Sequence, residues 1–170
     1  MSDNAPGSPD ITTLSMPEAA KAELYALQRQ WSDLPQVDMP VHHVLHGGMY
    51  ARTIEVPEGT LVIGVHVVVP TVVIIEGRGT LWAGGEQVSV DGYYVLAGEK
   101  NRKQMFHASA RTRVTMVAAS TARSVEEAEQ QFTDEPESLI SRRSDARVVI
   151  ITGEQTCLES QSESPPPPPP

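Results

Sequence analysis

The hydrophobic and polar positions of this chain change period twice. Ala20, Leu24, Leu27 and Trp31 recur at helical spacing and form one narrow apolar stripe. Ahead of them, Ser15-Met16-Pro17-Glu18 combines an N-cap Ser, an early Pro and a Glu at the third helical position. The pattern predicts a segment over 15–34 whose helix runs to about Trp31 and needs a surface to dock against, with Pro35 and Pro40 ending it. From Val41 the period shortens to two. Runs rich in Val, Ile, Thr and Tyr predict strands over 50–56, 60–69, 72–76, 80–83, 86–90, 93–96, 104–108 and 113–119. Ten of the twelve glycines lie between Gly47 and Gly98, and no proline occurs between Thr71 and Glu135, so turns are made by Gly while strand interiors are spared Pro. Asp91-Gly92 reads as the sharpest hairpin turn. Strands at this spacing predict a mainly β fold, a small barrel or sandwich over 41–122.

After Ser120 helical signals return. Ser124-Val125-Glu126-Glu127 is a second capping box, with Val125, Ala128 and Phe132 on one face. Asp134-Glu135-Pro136-Glu137 opens a further short helix carrying Leu139 and Ile140. Residues 147–152 read as one late strand that adds to a sheet edge of this chain or of a neighbour, completing a segment over 123–152. The ends carry too few large apolar groups to offset the entropy of ordering. Residues 1–14 are therefore expected to be a disordered arm, and 153–170 a disordered tail closing in a polyproline run, Pro165 to Pro170.

With 170 residues, this organisation leaves room for one domain. A single Cys, Cys157, excludes an intramolecular disulfide framework and a multi-Cys zinc module, and agrees with a reducing compartment. The net charge of −9 sits in the flanks, because residues 41–120 hold seven basic and six acidic side chains. Such a balance argues against a nucleic-acid partner, whose phosphates are met by Lys and Arg. The start has no basic and apolar leader pattern, and the longest apolar stretch is broken by His66, Pro70 and Thr71. No membrane association is expected, and the chain is expected to be soluble and not exported by a standard signal.

Candidate chemistry is sparse. Lys100, Arg102, Lys103, Arg111 and Arg113 lie in a stretch without acidic groups and form a candidate anion site; the acidic residues of 126–137 offer a structural pairing instead. His42, His43 and His46 are the densest His cluster, but neighbours on a strand face opposite sides, so a chelate using all three is not expected. Tyr50, Arg52, Trp82, Tyr93 and Tyr94 are pocket-lining candidates, with core or interface packing as the alternative. No nucleophile elbow, phosphate loop or paired strand carboxylates are present.

Residues 57–107, with HHVLHGGMYARTIEVPEGT over 42–60 and NRKQMFH over 101–107, resemble the cupin-like proteins of tailed bacteriophages and prophages. The resemblance covers about residues 42–130. It implies a cupin-type small β-barrel, a double-stranded β-helix or jelly roll, flanked by short helices. It also implies a metal site in which His66 and His107 take ligand positions, with Glu76, His43 or His46 as further partners. The pattern departs where related proteins carry Glu and a second His, since Val69 and Pro70 stand there. Two imidazoles leave a divalent metal short of the usual three or four protein ligands, so no cofactor is expected, with Fe, Mn, Ni or Zn as the alternative. The leading expectation is a non-enzymatic binding or assembly protein, homo-oligomeric, associated with other phage proteins or a virion. The alternatives are a metal-dependent cupin isomerase or dioxygenase, and a sensor of a small anion held by Lys100, Arg102, Lys103 and Arg113.

Overall fold

Strands are the main regular structure of the molecule, nine of them against two α-helices among the described residues. The computed structural model describes residues 13–83, 86–142 and 147–152. In chain order its elements are β1 (Thr13–Leu14), α1 (Glu18–Trp31), β2 (Val41–His46), β3 (Met49–Val56), β4 (Leu61–Ile63), β5 (Thr71–Ala83), β6 (Glu86–Gly98), β7 (Met105–Ala108), β8 (Thr112–Ala119), α2 (Val125–Phe132) and β9 (Arg147–Ile151). Two single 3-10 turns, Pro136–Ser138 and Ile140–Arg142, lie between α2 and β9.

The strands run in the order β1-β6-β5-β8-β3-β2-β9, while β7 pairs with both β4 and β5. β5 serves two sheets: residues 72–76 pair with β8, and 79–82 pair with β7. The bend between the two halves is at Gly77, whose φ is +146° and which stands in register with Gly92 of β6 at φ +108°. A side chain at Gly77 would place its Cβ 2.7 Å from Thr112 Cα, so this crossing of β5 over β8 requires glycine. A large sheet thus folds over a smaller one along two shared, bent strands, as in the cupin-type barrel expected from the sequence.

The barrel interior follows the pleat. On β3, Tyr50, Arg52, Ile54 and Val56 are buried, whereas Ala51, Thr53 and Glu55 face out. Ile54 and Val56 meet Val41, Val73, Ile75, Leu81, Val90, Leu96 and Phe106 in one apolar core. A second cluster, Leu45, Tyr50, Val67, Val125, Ala128 and Phe132, lies where α2 caps one end of the barrel. Burial of a side chain the size of Phe132 is worth about 1.5–3 kcal/mol, enough to hold an eight-residue helix too short to stand alone.

Several sequence expectations are corrected. β5 and β6 are each continuous over 13 residues, so Asp91-Gly92 is a bend inside a strand, paired with Arg78 and Gly77, rather than a hairpin turn. The β5–β6 connection falls at residues 84–85, outside the described residues. The strand expected over 60–69 stops at Ile63, because Gly64 donates to the Gln104 carbonyl and the chain then runs as a loop bridging Arg102 and Thr133 through Val67. The first helix is capped by Pro17 with no side-chain cap, in place of Ser15, and it ends at Trp31 as expected. Thr13 and Leu14, placed in the disordered arm by composition, form β1 beside β6, with Leu14 fully buried. β2, absent from the expected strands, completes the large sheet against β3. The second capping box holds, since Ser124 accepts from the Glu127 amide at 3.2 Å. β9 pairs in parallel with β2 of its own chain. Residues 1–12 and 153–170, including the polyproline run and Cys157, lie outside the described residues. Among the described residues no helix is long and apolar enough to cross a membrane.

Candidate functional site

A cavity of about 530 Å³ opens inside the barrel. Its walls are Ile54 and Val56 of β3, Val73, Ile75 and Leu81 of β5, Phe106 of β7, and Val114 and Met116 of β8. The end of α1 (Gln28, Trp31), the linker 34–39 and residues 138–140 border it. The volume lies within the range of small-molecule sites, about 300–1,000 Å³.

Two guanidiniums stand among these apolar strand residues, and Gln28, Asp38, Thr60 and Gln104 add uncharged or exposed polar groups to the lining. Arg52 shares the inward face of β3 with Tyr50 and Ile54, and its side chain is 4% exposed. Arg102, 1% exposed, enters from the 101–104 loop, where its N–H donates to the Val67 carbonyl and its carbonyl accepts from the Val67 N–H. Asn101 before it adopts φ +59°, the left-handed turn that swings the next residue inward. Met116 links the two: it is the cross-strand neighbour of Arg52, and its Sδ lies 3.8 Å from Arg102 Nη2. Arg102 donates from Nη1 to the Glu99 carbonyl and from Nη2 to Thr71 Oγ1, both at 2.6 Å. Gly98 leaves room for this group, since a Cβ there would sit 2.6 Å from Arg102 Cζ.

Neither arginine has an ion-pair partner among the described residues, and the Nε of each is buried without a hydrogen-bond partner. The carboxylate that acts on Arg52, Glu129, is held by Arg142 Nε at 2.6 Å and by the Ser141 hydroxyl. The one acidic residue of the lining, Asp38, is exposed in the linker. Burial therefore lowers the pKa of both guanidiniums, that of Arg102 to about 10; for Arg52, Tyr50 and Glu129 work weakly in the opposite direction. An anion placed between them would restore what desolvation removes.

The other sequence candidates are dispersed. His66 lies in the loop after β4, donating its backbone N–H to Glu135 Oε2 at 2.7 Å, with its Nδ1 3.0 Å from Asp134 and its carbonyl accepting from Thr133 Oγ1. His107 alternates on β7 with buried Phe106 and Ala108, which turns it to the outside of the barrel. His43 points inward, stacked on Tyr50 with Nδ1 2.9 Å from its hydroxyl, while His42 faces out toward Glu55 at 3.4 Å. His46 ends β2 beside Thr152. Glu76 is exposed and 3.6 Å from Arg113. No set of three or more His, Cys, Asp and Glu converges among the described residues. The cavity lining holds no His, Cys or Glu and two cationic groups, a donor set that does not fit a divalent cation.

The basic run is likewise divided. Lys100 is exposed, and Arg111 and Arg113 pair with Glu55 on the outer face. Lys103, fully buried, bonds Glu135 at 3.0 Å and lies 4.5 Å from the ring centre of Tyr25. Burial lowers the Lys103 pKa against the pull of Glu135, and raises that of Tyr25 to about 12. This clamp fastens α1 and the 3-10 turns to the barrel mouth. Of the run, Arg102 alone lines the cavity. The second arginine, Arg52, is one of the pocket-lining candidates of the sequence, turned inward by its parity with Tyr50, Ile54 and Val56 on β3, whereas Tyr50, Trp82, Tyr93 and Tyr94 are not among the lining residues.

No family model and no curated protein matches the chain. Solved structures do. A Cupin_2 domain of an XRE family transcriptional regulator from Enterobacter cloacae is similar at 14% identity and a TM-score of 0.40, over 48% of this chain and 96% of that one. Salicylate 1,2-dioxygenase from Pseudaminobacter salicylatoxidans is similar at 14% identity and a TM-score of 0.42, over 68% of this chain and 35% of the dioxygenase. The chain thus spans about a third of the dioxygenase. Both likenesses are of fold, and neither bears on a reaction here.

Proposed function

We propose that the chain is a binding protein for a small monoanion with an apolar body, a carboxylic acid being the class that fits best. The observation that carries this reading is the pair of buried guanidiniums, Arg52 and Arg102, without a carboxylate counterion among the described residues, in a cavity whose strand walls are apolar. Leaving two cations uncompensated in such a place is costly unless something else supplies the charge. Guanidinium forks match a carboxylate's two oxygens, and the valine, isoleucine and phenylalanine walls suit a hydrocarbon or aromatic remainder. The reading agrees with the anion-sensor alternative drawn from the sequence, with Arg102 as the shared residue and Arg52 in place of Lys100, Lys103 and Arg113.

The bacteriophage or prophage setting, with its assembly role and virion partners, stays a proposal carried by the sequence resemblance. A metal does not fit this lining, which offers one exposed carboxylate, Asp38, and two guanidiniums in place of the three or four ligands a divalent cation needs. Calorimetric titration of the full chain with octanoate, decanoate and phenylacetate, against 1-decanol as a neutral control, tests the reading. Saturable binding of at least one acid, at least tenfold tighter than the alcohol, is the expected result. Equal affinity for decanoate and decanol, or no binding of any acid, would overturn it.

A further inference from the structure

The outward face of the large sheet is built like an interior. In register across six strands run Ile150, Val44, Ala51, Val117, Val72 and Ala97, a row without a polar side chain. The next row, from Val148 to Val95, passes through Ile74 and the pair Thr53 and Thr115, whose hydroxyls bond each other at 2.7 Å. His42 is its one ionisable group. Val72 is 45% and Val95 55% exposed, and six of the eleven exposed large hydrophobic residues described lie on this one face. Monomeric proteins seldom leave so continuous an apolar surface open.

We infer that this face packs against the same face of a second copy. Val, Ala and Thr side chains dominate these two rows, so one sheet face can lie on another at the usual spacing of about 10 Å. Six strands at ~4.8 Å, each covered over about six residues at ~3.3 Å, give a footprint of roughly 29 by 20 Å, about 580 Å² per partner, so that two copies together bury about 1,160 Å², past the ~1,000 Å² that a specific interface should clear. Charge does not oppose it. Glu55 and Glu76 at the margin are matched by Arg111 and Arg113, so two copies of an acidic chain meet through a locally neutral patch. β9 adds to the case: Val148 to Ile151 are all at least 41% exposed on a sheet edge with no charge or Pro among them, the kind of edge proteins otherwise protect. The contact is isologous and leaves the cavity mouth, on the α1 side, open.

Sedimentation equilibrium of the full chain, with the double variant V72E/V95K, tests this. The expected result is a species of twice 18.4 kDa for the parent protein at micromolar concentration, and a monomer with unchanged circular dichroism for the variant. Leu61→Glu, exposed on the small sheet, is expected to leave the dimer intact. A monomeric parent protein, or a variant that stays dimeric, would overturn the inference. So would a chain ending at Thr152 that dimerises while the full chain does not, since the tail would then be the occupant. A parent protein that dimerises only with a different protein also counts against it.

Discussion

Arg102→Met separates a residue kept for stability from one kept for a ligand. The substitution retains length and apolar volume while removing the charge. It forfeits two hydrogen bonds from a charged donor, to the Glu99 carbonyl and to Thr71 Oγ1, each worth about 1.5–3 kcal/mol. It also relieves the burial of a cation. The drop of the Arg102 pKa from 12.5 to about 10 corresponds to a desolvation cost of roughly 3 kcal/mol, and the group is 1% exposed, so solvent screens little of it. The terms nearly cancel, and the unliganded variant should lose no more than about 3 kcal/mol, with a central value near 1.5. Urea unfolding monitored by circular dichroism measures this directly. The ligand term does not cancel. A carboxylate at a hundred times its dissociation constant stabilises the parent protein by about 2.7 kcal/mol, and the variant should gain almost none of that. Loss of 5 kcal/mol or more without ligand, together with full decanoate stabilisation, would refute the reasoning, for Arg102 would then be a structural brace.

Other expectations rest on the same geometry. Gly77→Ala should destabilise by several kcal/mol in urea unfolding, because the new Cβ lies 2.7 Å from Thr112 Cα and neither backbone can withdraw; a loss under 1 kcal/mol would deny the tight crossing. Glu135→Gln should cost about 3–5 kcal/mol by leaving buried Lys103 without its carboxylate, and adding Lys103→Met should recover much of it. The Glu55 carboxyl is held below its ordinary value, chiefly by its bond to Arg111. Its contribution is therefore present above about pH 4, where the unfolded carboxyl is ionised, and is lost as the pH falls through the lower folded value. The stability gap between the parent protein and Glu55→Gln should accordingly be present at neutral pH and close in acid; a gap that widens in acid would show the wrong sign.

How much of the fold and the site was legible in the sequence depends on how local the cause is. Alternation on β3 appears in the chain as every second residue, because one face of the strand is buried and the other is not. Both helices were visible from the spacing of their apolar residues, and the late strand from its unbroken run of Val and Ile, Val148 to Ile151, although all four are exposed. Gly92 was not readable as a bend within β6: Asp-Gly normally turns a chain, and what keeps it extended is Gly77 directly across the ladder, a register set by long-range pairing. His66 belongs to an apolar run that looks like a strand, yet the segment is drawn off into bridges with Arg102 and Thr133. Arg102 and Lys103 sit among cations that resemble a solvated face. They are pulled to opposite sides, one into the cavity and one onto Tyr25 and Glu135, by a left-handed Asn101 that no periodicity reveals. The parity of Arg52 on an apolar strand face was the available signal, and a charged residue at an inward position marks a site more sharply than any cluster of surface charge.

If Arg52 and Arg102 share one anionic ligand, the nitrogen-15 spectra of their Nε–Hε groups report it during a decanoate titration. Both resonances are predicted to move together along one saturable curve, with each lost in its own Met variant. Unmoved Arg52 and Arg102 signals, or changes confined to exposed arginines such as Arg78, would contradict it.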